Sequence, residues 1–262
     1  DGVDVINFSI SGGNNAYTDP VELAFLDAYA AGVDVNASAG NAGPGAGTAN
    51  HAGPWVTTVG ASTSNRSFLS TLTLKSGNGD SATVTGVSVT PGVSTDTPVV
   101  INSADPFCLN AAAPGSFTGK VVVCQRGGGG LGRVSKGYNV LQGGAAGMIL
   151  YNTTDVDNLF TDNFFVPTVM VDNTPGVAIK RYIASSRHPR ASLSPEGKTW
   201  LRYAPSMAIF SSRGPDPTAP DIIKPDVTAP GVQILAGNTP FPTPGEEVDG
   251  ELFQAIAGTS MS

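Results

Sequence analysis

Within its first 40 residues the chain reads as a strand, a helix and a second strand, and this succession limits the architecture more than any other feature. Val3 to Ile10 is a largely apolar run holding Asp4 and Asn7, ended by Ser11-Gly12-Gly13. A helix start follows, with Asp19 as N-cap, Pro20 as the first helical residue and Glu22 completing a capping-box pattern. Leu23, Leu26 and Ala30 recur on one face, and Gly32 is placed to stop the helix. Val33 to Ala39 is the second strand, leading into Gly40-Asn41-Ala42-Gly43-Pro44. Two strands joined through one helix pair in parallel by a right-handed crossover, so an α/β fold is predicted.

In such sheets the loops at the carboxyl ends of the strands carry the site. Two loops qualify: Ser9-Ile10-Ser11-Gly12-Gly13 and Ser38-Ala39-Gly40-Asn41. The first suits an extended peptide, because Gly12 and Gly13 leave backbone groups unshielded. The second presents one amide donor, Asn41, among tiny residues. That residue is either an oxyanion donor or a turn asparagine supporting its own backbone.

Composition shifts near Asn65. Leu69 to Val89 alternates with Thr and Val and breaks at Gly77-Asn78-Gly79-Asp80, which predicts a hairpin. A small α/β unit follows: strand Lys120–Cys124, a glycine run, a helix around Gly132–Leu141 and strand Gly147–Tyr151. Another strand at Val166–Val171 and a helix near Pro175–Ala184 complete it. Gly127, Gly129 and Gly132, with Asp155 beyond, mimic a dinucleotide fingerprint. Gln125 and Arg126 separate strand from glycines and only one βαβ unit is present, so a loop is the better reading and no cofactor is expected. Near Pro205 the character changes again, to Ser211-Ser212-Arg213-Gly214-Pro215 and a proline-rich stretch.

A net charge of −7 and the lack of a basic stripe exclude nucleic acid as a partner. No run of 18 apolar residues exists, so no membrane span is predicted. The start at Asp1-Gly2-Val3-Asp4, without signal peptide or initiator Met, reads as an internal piece of a longer protein. Cys108 and Cys124 have no histidine near them, which removes zinc; a disulfide is favoured over two free thiols, and it would fit an oxidising compartment. No metal site and no calcium-loop pattern is expected.

The last five residues, Gly258-Thr259-Ser260-Met261-Ser262, follow Phe253-Gln254-Ala255-Ile256-Ala257. A serine among small residues after an apolar run suits a reachable nucleophile, and a polar turn would use the same residues. Taken with Val5 to Gly13, Ser38 to Asn41, Trp55 to Ala61, Phe210 to Pro215 and Lys224 to Val232, in that order, this motif resembles the subtilisin-like serine peptidases (subtilases). The tract at 210–232 and the long insert are similar to the secreted cucumisin-like and lactocepin-like branch. Gly119 to Gly127, Gly144 to Asn152 and Val166 to Val169 resemble a protease-associated (PA) domain.

The resemblance implies a partial subtilisin-like parallel-sheet three-layer sandwich with an inserted small α/β PA domain. Residues 1–65 and 204–262 would form the catalytic part, and 66–203 the insert, with a PA core at about 98–190. It implies Ser260 as nucleophile, Asn41 in the oxyanion hole, and Ser9, Ile10, Ser11, Gly12, Ser38, Ala39 and Gly40 along the substrate. It also suggests that Cys108 pairs with Cys124. Protein or peptide is the expected substrate and an extracellular location follows, with the PA domain contacting substrate or a second subunit. The family's Asp and His segments lie ahead of Asp1, so this chain alone is expected to be nearly inert.

His51 lacks the context of a catalytic base and reads as a solvated loop residue, as does His188. Among the sequons at Asn7, Asn36, Asn65 and Asn152, the last two are the candidates for glycan. Leu159-Phe160 and Phe164-Phe165 read as core, with a contact patch as the alternative. The rival class is a binding module in which the PA insert is the working part.

Overall fold

The computed structural model describes residues 2–13, 15–155, 158–195, 198–201, 205–237 and 252–262. Asp1 and the expected domain limit at residues 203–204 lie outside that set. The chain forms two compact units, one from Asp1–Asn65, Tyr203–Leu235 and Ile256–Ser262, the other from Arg66–Arg202 and Ala236–Ala255.

The first unit holds β1 (Val5–Phe8), α1 (Pro20–Ala30), β2 (Asp34–Ser38), β3 (Thr57–Ser62) and, later in the chain, β12 (Val227–Pro230). The strands lie side by side in the order β1, β2, β3, β12, all parallel, with Phe8 opposite Ala37 and Ala37 opposite Thr58. Asp19 caps α1 by accepting from the Val21 and Glu22 amides, and Gly32 takes φ +83° beyond its end. Glu22 does not close the expected capping box, because its carboxyl turns inward and is buried. The inward face of α1 is Glu22 and Phe25, whereas Leu23 is 41% exposed. Phe25 meets the sheet through the edge of the Phe8 ring, centroids 5.1 Å apart, in a cluster with Val35, Ala37 and Val56.

The second unit opens with β4 (Arg66–Lys75), β5 (Ser81–Val87) and β6 (Val93–Ile101). Then come β7 (Val121–Gln125), α2 (Arg133–Gln142), β8 (Gly147–Tyr151), β9 (Thr168–Val171) and α3 (Asn173–Ser185), followed by β10 (Arg190–Leu193) and β11 (Lys198–Leu201). The expected hairpin is present, β4 pairing antiparallel with β5. Strands β6 to β9 run parallel in sequence order, and β10 bonds to both β6 and β4, so the sheet curls round on itself. Inward Leu72, Leu74, Val121, Val123, Ile149, Val169 and Leu193 fill it, with Ile179 and Ile183 of α3 against them.

Cys108 and Cys124 are joined in a disulfide. Beyond the cystine, the glycine run Gly127–Gly130 is a turn with every φ positive, and Lys136 of α2 closes it. The Lys136 side chain is fully buried, its ammonium donating to the Phe107 carbonyl at 2.5 Å and the Gly127 carbonyl at 2.9 Å. Asp155 accepts from the Thr174 amide and hydroxyl at the start of α3, a capping role. Phe160 is buried under the guanidinium groups of Arg126 and Arg133, and Phe165 is 38% exposed against Tyr138. Later in the chain, β13 (Ile234–Gly237) pairs with β14 (Phe253–Ile256), and a single 3-10 turn spans Thr259–Met261. No helix among the described residues is long and apolar enough to cross a membrane.

Candidate active site

Three segments of the first unit converge at the carboxyl ends of β1 and β2: Ser9–Gly13, Ser38–Asn41 and Gly258–Ser262. Parallel pairing carries the first two to the same edge, since Phe8 and Ala37 are partners. The third is brought there by Gly231, whose amide donates to the Ser62 carbonyl and whose carbonyl accepts from the Gly258 amide, both at 2.9 Å.

The Ser260 hydroxyl donates to the Ser9 carbonyl at 3.0 Å, and the Ser9 hydroxyl donates back to the Ser260 carbonyl at 2.9 Å. Ser260 is half-buried, so its oxygen is reachable. Asn41 is exposed, and its side-chain oxygen accepts from the Thr259 amide at 2.9 Å and the Thr259 hydroxyl at 3.0 Å. With the oxygen end held twice, the NH2 end of Asn41 is the one left to meet a ligand, beside Gly258. The bonds of Asn41 reach a residue 218 positions away, so it does more than support its own turn.

Gly40, at φ +95°, donates its amide to the Thr259 hydroxyl at 3.1 Å and accepts from the Ser212 amide at 2.9 Å. A Cβ there would lie 2.6 Å from the Asn50 side-chain oxygen, which accounts for the glycine. The Ser212 hydroxyl accepts from the Ala42 amide at 3.0 Å and fixes the far side of the turn. Thr259 and Ser212 are therefore supporting residues that sequence reasoning left out. Their motifs were legible, but their partners, 219 and 170 residues away, were not.

On the sheet face opposite α1 lies a cavity of about 380 Å³, lined by Val5, Asn7, Ser9, Ser38, Val59 and Thr259 among others. Ser38, Ala39 and Gly40, at the end of β2, are small and all buried. Among the described residues no group of three or more His, Cys, Asp or Glu is arranged to hold a metal ion.

His51 overturns the expectation of a solvated loop residue. It is fully buried at φ +55°, with one ring nitrogen 2.6 Å from the Glu22 carboxyl and the other 2.8 Å from the Ile10 carbonyl. Its sequence neighbours are loop-like, and the partner that draws it inside sits 29 residues earlier on α1. His188 is exposed in the second unit. The glycan expectation at Asn152 also fails: that side chain is buried, accepting from Arg126 at 3.2 Å and donating to Asp172 at 3.0 Å. Asn65 is exposed.

Residues 84–179 match the PA domain family. The whole chain is 38% identical over 283 residues to subtilisin-like protease SBT1.6 of Arabidopsis thaliana, and 39% identical over 277 residues to SBT1.4 of the same plant. These alignments take in 100% of this chain and 36% and 35% of the relatives, so the chain spans about a third of their length. Among solved structures, the psychrophilic subtilisin-like protease Apa1 from the Antarctic psychrotroph Pseudoalteromonas sp. AS-11 is 16% identical, covering 79% of this chain and 58% of that one. The TM-score of that match is 0.37. Along its whole length the chain is thus similar to about a third of these subtilisin-like proteases, and within that stretch residues 84–179 match the PA domain.

Proposed function

We propose that the full-length protein is a serine endopeptidase of extracellular proteins that works through an acyl-enzyme, with Ser260 as nucleophile and Asn41 as oxyanion donor. The observation that supports this most is the clasp of Asn41 on Thr259, which holds an amide donor next to the serine. Ser260 would attack the peptide carbonyl, a histidine would take its proton, and an aspartate would orient that histidine. His51 has both ring nitrogens engaged, so it is not that base. We assign the base and its carboxylate to parts of the protein outside these 262 residues. Ser9, Ile10, Ser11 and Gly12 on one side and Ser38, Ala39 and Gly40 on the other would flank an extended substrate. The small residues of the second set favour apolar side chains in the primary pocket.

In the full-length protein, Ser260→Ala should abolish peptide hydrolysis and labelling by a fluorophosphonate. Asn41→Ala should lower kcat by about 10²–10³-fold, the loss typical of removing one oxyanion-hole donor, as in a subtilisin. The 262-residue chain alone should be nearly inert. Ready hydrolysis by that chain, lost on Ser260→Ala, would overturn the assignment of the base.

The PA match over residues 84–179 supports a second reading, in which that unit binds protein. It would contact substrate or a second subunit whether or not Ser260 acts. Protein-substrate affinity that survives Ser260→Ala but falls when residues 84–179 are replaced would favour it.

A further inference from the structure

The Glu22–His51 pair has no part in the chemistry just described, yet it touches the segment proposed to line the substrate. Both side chains are fully buried. The Phe8 and Phe25 rings pack on the imidazole, and a Cβ on Gly13 would collide with the Glu22 carboxyl. Glu22 also accepts from the Gly53 amide at 3.3 Å, and the His51 carbonyl accepts from the Thr58 hydroxyl at 2.5 Å.

The hydrogen-bond count fixes the protons. A carbonyl only accepts, so the bond between His51 Nε2 and the Ile10 oxygen at 2.8 Å requires a hydrogen on Nε2. At 2.6 Å, Nδ1 and Glu22 Oε1 must have a second hydrogen between them. Whether that hydrogen sits on nitrogen or on oxygen, the pair as a whole is neutral. Without it, a buried carboxylate would face a nitrogen lone pair.

The consequence falls on Ile10 and Ser11. The Ile10 C=O and the Ser11 N–H belong to one planar peptide and point in opposite directions. Holding the carbonyl on His51 therefore aims the Ser11 amide away from the interior. We propose that Glu22 and His51 are positioning residues: they set the peptide plane between Ile10 and Ser11 so that the Ser11 N–H faces an extended substrate. The proposal rests on the peptidase reading for what that amide binds, and on the geometry alone for how it is held.

Three substitutions separate the contacts. Glu22→Gln keeps all of them, since its amide donates to a neutral Nδ1 and its oxygen still accepts from Gly53. His51→Gln keeps a donor in reach of Ile10. His51→Asn tolerates the positive φ and reaches Glu22, but leaves the Ile10 carbonyl unheld. In the full-length protein, selectively labelled for NMR, the Ser11 amide resonance should move in His51→Asn and stay near its native position in the other two. The native chain should show a through-hydrogen-bond coupling from His51 Nε2 to the Ile10 carbonyl carbon, a reading available even if His51→Asn fails to fold. Absence of that coupling, or equal Ser11 shifts in His51→Asn and His51→Gln, overturns the proposal. In the full-length peptidase, His51→Asn should raise KM for an extended peptide about tenfold with kcat nearly kept, and Glu22→Gln should hold KM within about twofold. Equal KM values in those two variants would count against the substrate-facing role. Loss of the peptidase reading itself would appear as hydrolysis insensitive to Ser260→Ala and would leave the NMR result standing.

Discussion

Lys136→Met isolates one buried contact of the PA-bearing unit, because methionine keeps most of the stem and removes only the ammonium. The lysine is fully buried, and its two bonds hold Phe107, next to the cystine, and Gly127, at the head of the glycine turn. Hydrogen bonds from a charged donor contribute about 1.5–3 kcal/mol each, so two give about 3–6 kcal/mol. Removing a buried ammonium returns part of that as relieved desolvation, leaving a net loss of about 2–4 kcal/mol. For a unit of this size that is a fall in Tm of about 6–12 °C. Scanning calorimetry of parent and variant reads it directly, in the transition that moves.

The pH dependence gives an independent check. Burial holds the Lys136 ammonium below its ordinary range, and Asp105 opposes that shift only in part. The folded state therefore gives up the proton before the unfolded state does. The penalty is full below the folded value and is relieved as pH rises toward the ordinary lysine value, so stability should climb across that alkaline window. Lys136→Met should flatten the climb. A variant within about 0.5 kcal/mol of the parent, with the same alkaline slope, would refute the reasoning.

Gly13→Ala should destabilise the first unit by about 1–3 kcal/mol in urea titration, since φ is +64° and the new methyl meets Glu22 and His51. Replacing Cys108 and Cys124 by Ala should cost about 3 kcal/mol, the loop-entropy value for a separation of 16 residues, measured against the parent under non-reducing conditions. The Asp155 carboxyl is held below the usual range first by the Thr174 hydroxyl and then by its amide. Its contribution is present above the unfolded carboxylate value and lost as pH falls through the folded one, so Asp155→Asn should reduce stability at neutral pH and leave it little changed in strong acid.

Local chemistry made much of the fold legible. Asp19 and Pro20 announced α1, Gly32 its end, and the alternation around Gly77–Asp80 the β4–β5 hairpin. The run Val121–Cys124 is apolar at every position, as befits a strand buried on both faces. Harder to read were β6 and β10, whose Thr, Ser and Arg residues do not announce a strand. Their pairing comes from across the sheet, Thr97 against Ala191. Likewise, Leu23 and Leu26 suggested the inward face of α1, but Phe25 and the carboxyl of Glu22 took it, because the facing sheet offers Phe8 and the loop ahead of β3 offers the buried His51.

By itself, the sequence determined the βαβ start, the turn chemistry of its glycines and the motifs around Asn41 and Ser260, because each depends on residues a few positions apart. Tertiary structure alone decided which of those motifs meet. It set the Asn41 oxygen on Thr259, the Ser260 hydroxyl on Ser9 and the His51 ring between Glu22 and Ile10. A polar side chain is indifferent to its partner's place in the chain; burial requires only that a partner be found. In this protein the partners lie from 29 to 251 residues away, a distance that no local pattern encodes.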